Sequence, residues 1–395
     1  MQYRSYPWLI YALGGGWGHL VRALALGRIA AARRPVIIVC NSPYAADLLL
    51  YAAGDEESLP IVEGCYIHAI PASATSAQTY RQAVEILTAE SYECLIVDTF
   101  PRGLGGELFQ FLSGIQISPS QLPAKILVNR DINPDYVESQ GLQEFVAANF
   151  DLVLGPDFTS FQSVGGMEVS SPSTSPGVQH TKPWLIRSPS ELGGRVAAMS
   201  RLKLDPNQNS KVVLVCAAGN AEELSLYGQV TIGLDAALPD VVVRCLAPEK
   251  PPTVPPHLWQ FHWPAMECFP AADVVVGAGG YNTVYECLAV GVPLVAFALP
   301  RKYDRQKMRL IHATSTPSSM EAIGEEGQWP PVKLVETPAA AINAVQEFLQ
   351  VLRNRGSLDA SRDKPSSFKE TGFLRDANGA IEAVKLIEAL LEEKF

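Results

Sequence analysis

The chain has 395 residues and carries 31 lysines and arginines against 41 aspartates and glutamates, which gives a formal net charge of −10. Apolar residues make up 47% and charged residues 18% of the sequence. This balance is typical of a globular protein and excludes a disordered or fibrous chain. At roughly 150 residues per domain, the length predicts two or three domains. An acidic chain without a basic run is poorly suited to a nucleic-acid backbone, so no nucleic-acid partner is expected.

The seven cysteines indicate neither a disulfide framework nor a zinc site, because their number is odd and no two are spaced as Cys-x-x-Cys. Most lie in or beside apolar runs, which predicts buried free thiols in a reducing compartment and hence a cytoplasmic protein. The N-terminal sequence does not have the pattern of a signal peptide. No run of about 20 apolar residues predicts a transmembrane helix, so any membrane contact is expected to be peripheral.

Short apolar runs alternate with helix-like segments through the first half of the chain. Near-continuous apolar runs are typical of parallel strands covered on both faces, and they predict strands at Trp8–Leu13, Val36–Cys40, Cys94–Val97, Ile126–Val128 and Leu152–Leu154. The spacing between them predicts helices at His19–Ala32, Tyr80–Ala89 and Gln143–Asn149. This order predicts a doubly wound parallel sheet of the α/β class.

A Ser- and Pro-rich stretch, Ser170–Ser190, interrupts the alternation and is predicted to be a loop or linker. The alternation then restarts, with predicted strands at Lys211–Val215, Val241–Cys245, Val274–Val276 and Pro293–Phe297. Helices are predicted at Ala221–Thr231, Asn282–Ala289, Thr337–Arg353 and, at the end of the chain, about Asn378–Lys394. The sequence thus predicts two Rossmann-like domains that face each other across a ligand-binding cleft.

A histidine follows the first glycine cluster, directly after the first predicted strand. Four glycines, Gly14, Gly15, Gly16 and Gly18, stand where the chain turns from strand to helix, ahead of His19. Open α/β sheets bind ligands at this edge, where an imidazole can act as a general base near pH 7. The positive end of the helix dipole is expected to keep His19 neutral. Alternatively, the glycines only form a tight turn and His19 caps the helix.

Two other phosphate-binding motifs are excluded for this segment. The GxGxxG dinucleotide fingerprint fails because its third glycine position holds His19. The second predicted strand also ends in Cys40-Asn41-Ser42, without an acid that could hold a ribose. A P-loop fails because the chain contains no GK[ST] sequence.

The second glycine cluster lies in the string VVVGAGGYNTVYE, which predicts a strand, a glycine loop and a helix. Gly279 and Gly280 allow the backbone to approach a phosphate closely, and the helix start at Asn282 and Thr283 would receive it. Glu286 stands one helical turn beyond Thr283 on the same face, where its carboxylate can accept both hydroxyls of a ribose.

This segment resembles the nucleotide-sugar signature of the GT-B glycosyltransferases. It is most similar to glycosyltransferase family 28, which includes the N-acetylglucosaminyltransferase of peptidoglycan lipid-intermediate synthesis and the monogalactosyldiacylglycerol synthases. The chain supplies the family's elements in order: Ala272-Asp273, Gly280, Thr283-Val284-Tyr285-Glu286, Gly291-Val292-Pro293 and Asp304-Arg305-Gln306. The N-terminal GGGWGH resembles the family's glycine loop, so the resemblance spans most of the chain, with strong matches over about 60 residues.

The resemblance implies a set of donor-binding residues, namely Gly16, Gly18, Gly219, Asn220, Met266, Gly279, Gly280, Asn282, Thr283, Glu286, Asp304 and Gln306. Glu286 would bind the ribose, while the glycine loop before it and the helix start would lie near the diphosphate. Asp304 and Gln306 would contact the donor sugar. The backbone near Met266 would meet the base.

The chain departs from the family pattern at two places. The Gly-Gly-Ser-type loop after the first strand of the second domain is Cys216–Asn220 here. The basic residue two positions before the conserved glycine is Ala278. A diphosphate is therefore expected to rely more on backbone N–H groups and on Arg301 or Lys302.

The resemblance also implies the division of the chain and a partner for His19. An acceptor-side domain is expected over residues 1–188, a nucleotide-sugar-binding domain over 189–372, and a helix over 373–395 that returns to the first domain. Asp98 follows the strand after which similar enzymes place an aspartate, and its carboxylate can orient His19. The alternative is that Asp98 only caps the following turn.

These residues predict an enzyme that moves a sugar from a nucleoside-diphosphate sugar, most simply a UDP-sugar, to an unknown hydroxyl acceptor. No Asp-x-Asp sequence occurs, so no metal or other cofactor is expected. Positions seven residues from Glu286 hold Gly279 and Pro293 rather than a second glutamate, which favours inversion at the anomeric carbon. Two alternatives stay open: a non-catalytic GT-B relic that binds nucleotide sugars, and a nucleotide-sugar epimerase.

Overall fold

The computed structural model describes residues 6–46, 48, 64–89, 91–113, 123–130, 132–156, 177–208, 210–315, 332–359 and 378–394. The chain divides into two compact units. Unit 1 comprises residues 1–186 and 378–395, and unit 2 comprises residues 187–377. The first third of the predicted linker, residues 170–176, lies outside the described residues.

Unit 1 is built on a parallel sheet. Its strands are β1 (Trp8–Ala12), β2 (Val36–Cys40), β3 (Cys65–Ala69), β4 (Cys94–Asp98), β5 (Ala124–Val128), β6 (Leu152–Gly155) and β7 (Val178–His180). Its helices are α1 (Trp17–Ala30), α2 (Ser76–Ala89), α3 (Glu107–Leu112), α4 (Pro134–Ser139) and α5 (Leu142–Asn149). The strand order is β3-β2-β1-β4-β5-β6-β7, and every described pairing is parallel.

The central strands of unit 1 are buried on both faces, which explains their near-continuous apolar sequences. All five residues of β1, β2 and β4 are buried, as expected for strands covered by helices on each side. The last helix of the chain, which we number α11 (Gly379–Lys394), packs against α1, β5 and β6. Asn378 fixes its start, because the side-chain oxygen accepts from Leu185 N at 3.0 Å and the amide nitrogen donates to Leu185 O at 2.6 Å. The C-terminal helix therefore returns to the first unit, as the GT-B resemblance implies.

Unit 2 repeats the same strand order on a second parallel sheet. Its strands are β8 (Lys211–Cys216), β9 (Val241–Leu246), β10 (Trp259–Gln260), β11 (Val274–Ala278), β12 (Leu294–Phe297) and β13 (Val332–Val335). Its helices are α6 (Gly194–Arg201), α7 (Ala221–Ala237), α8 (Tyr281–Val290), α9 (Gln306–Ser315) and α10 (Pro338–Asp359). The order β10-β9-β8-β11-β12-β13 matches the first six strands of unit 1 one for one.

The predicted α/β class and the doubly wound sheets are confirmed, but several elements are not where the sequence predicts them. The strand β7 lies inside the predicted loop Ser170–Ser190, and the edge strand β3 was not predicted at all. Both lie at an edge of the sheet and pair with only one other strand, and their side chains are mostly exposed or half-buried. Such strands are held mainly by backbone hydrogen bonds and lack the apolar run that marks a buried strand.

Helix boundaries shift as well. Helix α1 begins at Trp17, two residues ahead of the predicted start, and α7 continues to Ala237 instead of ending at Thr231. The N-cap residue of α1 is Gly16, whose extended backbone carries no side-chain cap. A cap without a side-chain acceptor leaves no signature in the sequence, which explains the misplaced start.

Candidate active site

The two residues that the sequence singles out in unit 1 lie at the point where the strand order reverses. His19 is in the first turn of α1, which follows β1, and Asp98 is the last residue of β4. The strands β1 and β4 are neighbours, while β2 and β5 lie on their outer sides. Ligands of open α/β sheets bind at the carboxyl ends of strands at such a reversal. The fold therefore places this pair at the expected ligand edge of unit 1.

The structure brings His19 and Asp98 into direct contact and adds an arginine. The Nδ1 atom of His19 lies 2.6 Å from Oδ2 of Asp98. Arg22 binds the same carboxylate with two nitrogens, Nε at 2.8 Å from Oδ1 and one terminal nitrogen at 2.7 Å from Oδ2. Asp98 and Arg22 are almost completely buried, whereas 14% of the His19 side chain is exposed. The sequence analysis missed Arg22, although its position three residues after His19 puts the two on one helix face.

Electrostatics in this cluster favour an ionised aspartate and a neutral histidine. Burial acts to raise the pKa of Asp98, but Arg22 and His19 outweigh it and hold that pKa below its ordinary value. Burial lowers the pKa of His19 from its ordinary value, Asp98 opposes the shift, and Arg22 and Arg130 add to it. An ionised Asp98 accepts the proton of Nδ1, which leaves the lone pair on Nε2 of the neutral ring.

Loops around His19 fix the orientation of its ring. A β-carbon at Gly14 would lie 2.0 Å from the ring, so only glycine leaves room for His19 there. The Asn41 side chain accepts hydrogen bonds from the backbone N–H groups of Gly14 and Gly15, each at 2.8 Å. On the other side, Phe100 stacks on the imidazole at 5.5 Å between ring centroids. The absence of a side chain at Gly14 therefore lets the His19 ring pack against the glycine loop.

Backbone strain marks the same place. Thr99, which follows Asp98, has a φ angle of +74°, a left-handed conformation that β-branched residues rarely adopt. Such a residue costs on the order of 1–3 kcal/mol, and such strain clusters at functional sites. Its backbone N–H donates to Val128 O at 3.0 Å, so the sheet edge holds Thr99 in place.

In unit 2 the second glycine loop also lies at a reversal of strand order, because β11 neighbours β8. Gly280 is the N-cap of α8 and provides no side-chain cap. A β-carbon at Gly279 would lie 2.6 Å from Leu310, and one at Gly277 would lie 3.0 Å from Thr283. The glycines therefore permit tight packing at the start of the helix, where backbone N–H groups can bind an anion.

Glu286 is a buried acid on α8 that has no hydrogen-bond partner among the described residues, and it is only 8% exposed. Burial raises its pKa from the ordinary value to about 7. Its charge acts on Cys216, the last residue of β8, so the carboxyl group lies towards the reversal point. A buried carboxyl group without partners is costly. A ligand that donates hydroxyl hydrogens would satisfy it.

Asp304 and Gln306, which were expected at the donor sugar, have protein partners here. Asp304 pairs with the buried Arg309, whose terminal nitrogen lies 2.6 Å from Oδ1, and Arg309 also donates to Gly279 O at 2.9 Å. The Gln306 side-chain oxygen accepts from Leu299 N at 3.0 Å. Both side chains therefore hold the loop after β12 in place. The sequence analysis missed Arg309, which ties Asp304 to the glycine loop.

Asn220, also expected to bind the donor, caps helix α7. Its side chain accepts from Glu223 N at 2.9 Å, while the Glu223 carboxylate accepts from Asn220 N at 3.1 Å. This reciprocal arrangement is a capping box. Gly219 has a φ angle of +125°, and a β-carbon there would lie 1.6 Å from Oε2 of Glu223. The carboxylate of Glu223, which the sequence analysis missed, thus lies against the loop.

The remaining predicted donor residues lie in the first turns of α1 and α8 and in a segment before β11. Gly18 lies in the first turn of α1, and a β-carbon there would meet no atom within 4 Å beyond its own helix. Asn282 and Thr283 are half-buried in the first turn of α8. Met266 is buried in a 3-10 helix, Ala265–Ala271, that precedes β11. Its neighbour Glu267 is bound by Arg187 Nε at 2.9 Å, which anchors this segment.

Among the described residues, no group of three or more His, Cys, Asp or Glu side chains is placed to hold a metal ion. Within the same part of the chain, no helix is both long and apolar enough to cross a membrane.

Comparison with known proteins relates this chain to solved structures that share its fold. No family model and no curated protein matches the sequence. Several solved structures match along nearly the whole chain, and they show that the two units form the GT-B fold. One is the glycotransferase of kitacinnamycin, with 16% identity and a TM-score of 0.56, covering 98% of this chain and 100% of that one.

Two further matches carry nucleotide ligands. The glycosyltransferase SsfS6 of Streptomyces sp. SF2575, complexed with thymidine diphosphate, is 15% identical with a TM-score of 0.56, covering 97% of this chain and 99% of that one. The UDP-GlcNAc 2-epimerase of Neisseria meningitidis, bound to UDP-GlcNAc, is 13% identical with a TM-score of 0.58, covering 98% of this chain and 100% of that one. At such identities the likeness concerns the fold.

Proposed function

We propose that this protein is a glycosyltransferase that moves a sugar from a nucleoside-diphosphate sugar to a hydroxyl acceptor. The observation that carries the proposal is the contact of His19 Nδ1 with Asp98 at 2.6 Å, at the ligand edge of unit 1. This contact directs Nε2 of a neutral imidazole to act as the base. Removal of a proton from a hydroxyl by such a group is general base catalysis.

In the proposed reaction, His19 takes the proton of the acceptor hydroxyl. As the acceptor oxygen attacks the anomeric carbon, its proton passes to Nε2 of His19, and the bond from that carbon to the diphosphate oxygen breaks. The imidazolium that forms is stabilised by the ionised Asp98, as in other His–Asp pairs. Arg22 keeps Asp98 ionised throughout, because it holds both carboxylate oxygens. A single displacement inverts the configuration.

The donor would bind to unit 2. Glu286 is a buried acid without a described partner, and it would accept the ribose hydroxyls. The uncapped start of α8 would offer N–H groups to the diphosphate, whose charge grows as it leaves. UDP as the nucleotide, membership of family 28, inversion and independence of metal ions are the finer parts of this proposal. They rest on the sequence resemblance together with these contacts.

The test is a panel of nucleotide sugars, including UDP- and TDP-linked donors, screened by thermal shift. The best binder is then assayed for hydrolysis, in which water replaces the unknown acceptor. We expect a concentration-dependent rise in melting temperature and slow release of nucleoside diphosphate. Tight binding without release, across a broad acceptor panel, would instead support a non-catalytic binder. Absence of binding by every nucleotide sugar would reject the proposal.

A second candidate is a nucleotide-sugar epimerase. It is favoured by the likeness to the UDP-GlcNAc 2-epimerase along 98% of this chain. The same incubation separates the two functions, because an epimerase changes a stereocentre of the sugar. Proton NMR of the donor after incubation would show a new sugar epimer in that case. A transferase would yield only free sugar and nucleoside diphosphate.

A further inference from the structure

An ion pair in unit 2 spans the carboxyl end of β11. Glu223 lies in the first turn of α7, which follows β8, and Arg301 lies in the loop after β12. The strands β8 and β12 are the two neighbours of β11, and all three are parallel. A contact between Glu223 and Arg301 therefore bridges the edge at which β11 ends in the glycine loop. We call this ion pair the clasp.

The clasp is a bidentate ion pair. One terminal nitrogen of Arg301 binds Oε1 of Glu223, and the other lies 3.0 Å from Oε2. Guanidinium and carboxylate groups in this geometry form strong, oriented hydrogen bonds. The Glu223 side chain is only 10% exposed, whereas 34% of the Arg301 side chain is exposed. Glu223 is thus the fixed partner, and Arg301 is the one that can reach a ligand.

Glu223 has a second task that holds it in place. Its Oε2 atom accepts from Asn220 N in the capping box and lies against Gly219. The carboxylate therefore places a negative charge beside backbone N–H groups at the start of α7. Proteins bind phosphate groups in the same way, between the start of a helix and an arginine. Here the protein's own side chain provides the negative group.

We propose that Glu223 competes with the diphosphate of the donor for Arg301. This inference rests on the proposed function and names a residue that sets the donor affinity of that site. When the donor binds, Arg301 exchanges its carboxylate partner for a phosphate of the ligand, and no covalent bond changes. Glu223 remains in the capping box, now as an uncompensated charge next to the diphosphate. The clasp thereby weakens the binding of any ligand that carries phosphate and leaves the bare nucleoside unaffected.

The test removes the charge of Glu223 and keeps its shape. Glu223→Gln retains an acceptor for Asn220 N, because glutamine serves as well as glutamate in a capping box. Glu222→Gln is the matched control, since it makes the same charge change at an exposed neighbouring position. UDP and TDP, with uridine and thymidine as phosphate-free ligands, are titrated calorimetrically into wild type and both variants. Melting temperatures confirm folding.

We expect Glu223→Gln to bind the diphosphate about 5- to 30-fold more tightly than wild type, the scale of a charge-assisted contact. The bare nucleosides should bind the two proteins equally, and Glu222→Gln should match wild type. Arg301→Met should weaken diphosphate binding more than Lys203→Met does. Lys203 is an exposed cation that follows α6 in the same unit and has no proposed part in binding the donor.

The outcomes separate this inference from the function on which it rests. If wild type binds the diphosphate and Glu223→Gln binds it no better than Glu222→Gln does, the competition is rejected while the donor function stands. If Arg301→Met binds the diphosphate like Lys203→Met, Arg301 is not the exchanged partner and the inference fails. If no form binds any nucleoside diphosphate, both fail. Binding by Glu223→Gln alone would support the clasp most strongly.

Discussion

The carboxyl edges of unit 1 and unit 2 are built on the same strand order and use charge in opposite ways. In unit 1, Asp98 receives Arg22 and His19 together, so its buried charge is fully compensated. In unit 2, Glu286 is buried without a described partner, and its pKa rises to about 7. The nearby Glu223 is paired with Arg301 instead. The same topology thus carries one buried carboxylate, Asp98, that is paired with protein groups and another, Glu286, that has no partner among the described residues.

A catalytic base and a ligand-binding group require different arrangements of charge. A base must be oriented before the substrate arrives, and preorganised contacts supply that orientation. A binding group is better left unsatisfied, because a ligand then gains the whole of the new interaction. This contrast supports the proposal that unit 1 holds the reaction centre and unit 2 the donor-binding centre.

Replacing the base should have the largest effect. His19→Ala should lower the rate of donor hydrolysis by about 10²–10⁴-fold, the usual contribution of a positioned general base. UDP affinity should barely change, because the groups proposed to bind UDP, Glu286 and the start of α8, belong to unit 2. In wild type the rate should fall as pH drops and His19 becomes protonated. Single-turnover rates and calorimetric titration measure both effects on one preparation.

His68→Ala is the matched control, because His68 is an exposed histidine on β3 of the same unit. It should leave the rate unchanged. If His19 only caps its helix, His19→Ala would instead cost about 1 kcal/mol of stability and leave the turnover of folded protein intact. A stable His19→Ala protein with the wild-type rate would therefore remove the contrast between the units.

Removing the unsatisfied acid should weaken donor binding. Glu286→Ala is expected to reduce the free energy of UDP binding by about 1.5–3 kcal/mol, the scale of hydrogen bonds to a charged group. Isothermal titration of both proteins gives the difference directly. Glu222→Ala, which removes an exposed acid of the same unit, should bind UDP like wild type. Equal affinity of Glu286→Ala and wild type would exclude Glu286 from the site.

The pH dependence of binding should follow the ionisation of Glu286. Its pKa is about 7 in the free protein, and the ionised form accepts the ribose hydroxyls. Affinity for a UDP-sugar should therefore be about tenfold lower at pH 6 than at pH 8. A UDP-sugar is used because its diphosphate does not titrate in this range, unlike that of UDP. A flat profile for wild type would contradict the assignment.

Stability should show the opposite sign. The folded-state pKa of Glu286 is raised above its unfolded value, so its contribution is present at low pH and is lost as pH rises through 7. Glu286→Gln should therefore raise the free energy of unfolding at pH 8 by on the order of 2–3 kcal/mol and change it little at pH 4. Denaturant titrations at the two pH values measure this. Equal shifts at both would point to packing rather than charge.

Chelation should have the smallest effect. EDTA is expected to leave turnover unchanged, because backbone N–H groups and Arg301 would stabilise the leaving diphosphate in place of a metal ion. Rates with EDTA and with added Mg²⁺ or Mn²⁺ test this. A strict requirement for either ion would contradict the metal-free mechanism and would assign the leaving diphosphate a different partner.

Residue patterns predicted the sheets and the two loops that carry the sites. Val36–Cys40 was placed to the residue and the other predicted strands to within two residues, because burial on both faces demands a continuous apolar run. The edge strands β3 and β7 carry no such run and were missed. Of the charged residues, His19 and Asp98 were predicted from their places beside strand ends, and Glu286 from its place one helical turn beyond Thr283. Arg22 and Glu223 were missed, because an ion pair between distant segments leaves no local pattern. Arg309 was missed although its partner Asp304 is only five residues away.

Local sequence patterns suffice to predict the α/β class, the repeated strand–helix order and the position of glycines at two strand ends. These follow from local rules, because apolar periodicity and backbone freedom are properties of neighbouring residues. Which charged side chains form pairs depends on the three-dimensional arrangement of the strands. Asp98 lies 79 residues from His19, and Arg301 lies 78 residues from Glu223. Their contacts exist because parallel strands bring distant carboxyl ends to one edge, where burial makes each pairing, or the lack of one, matter energetically.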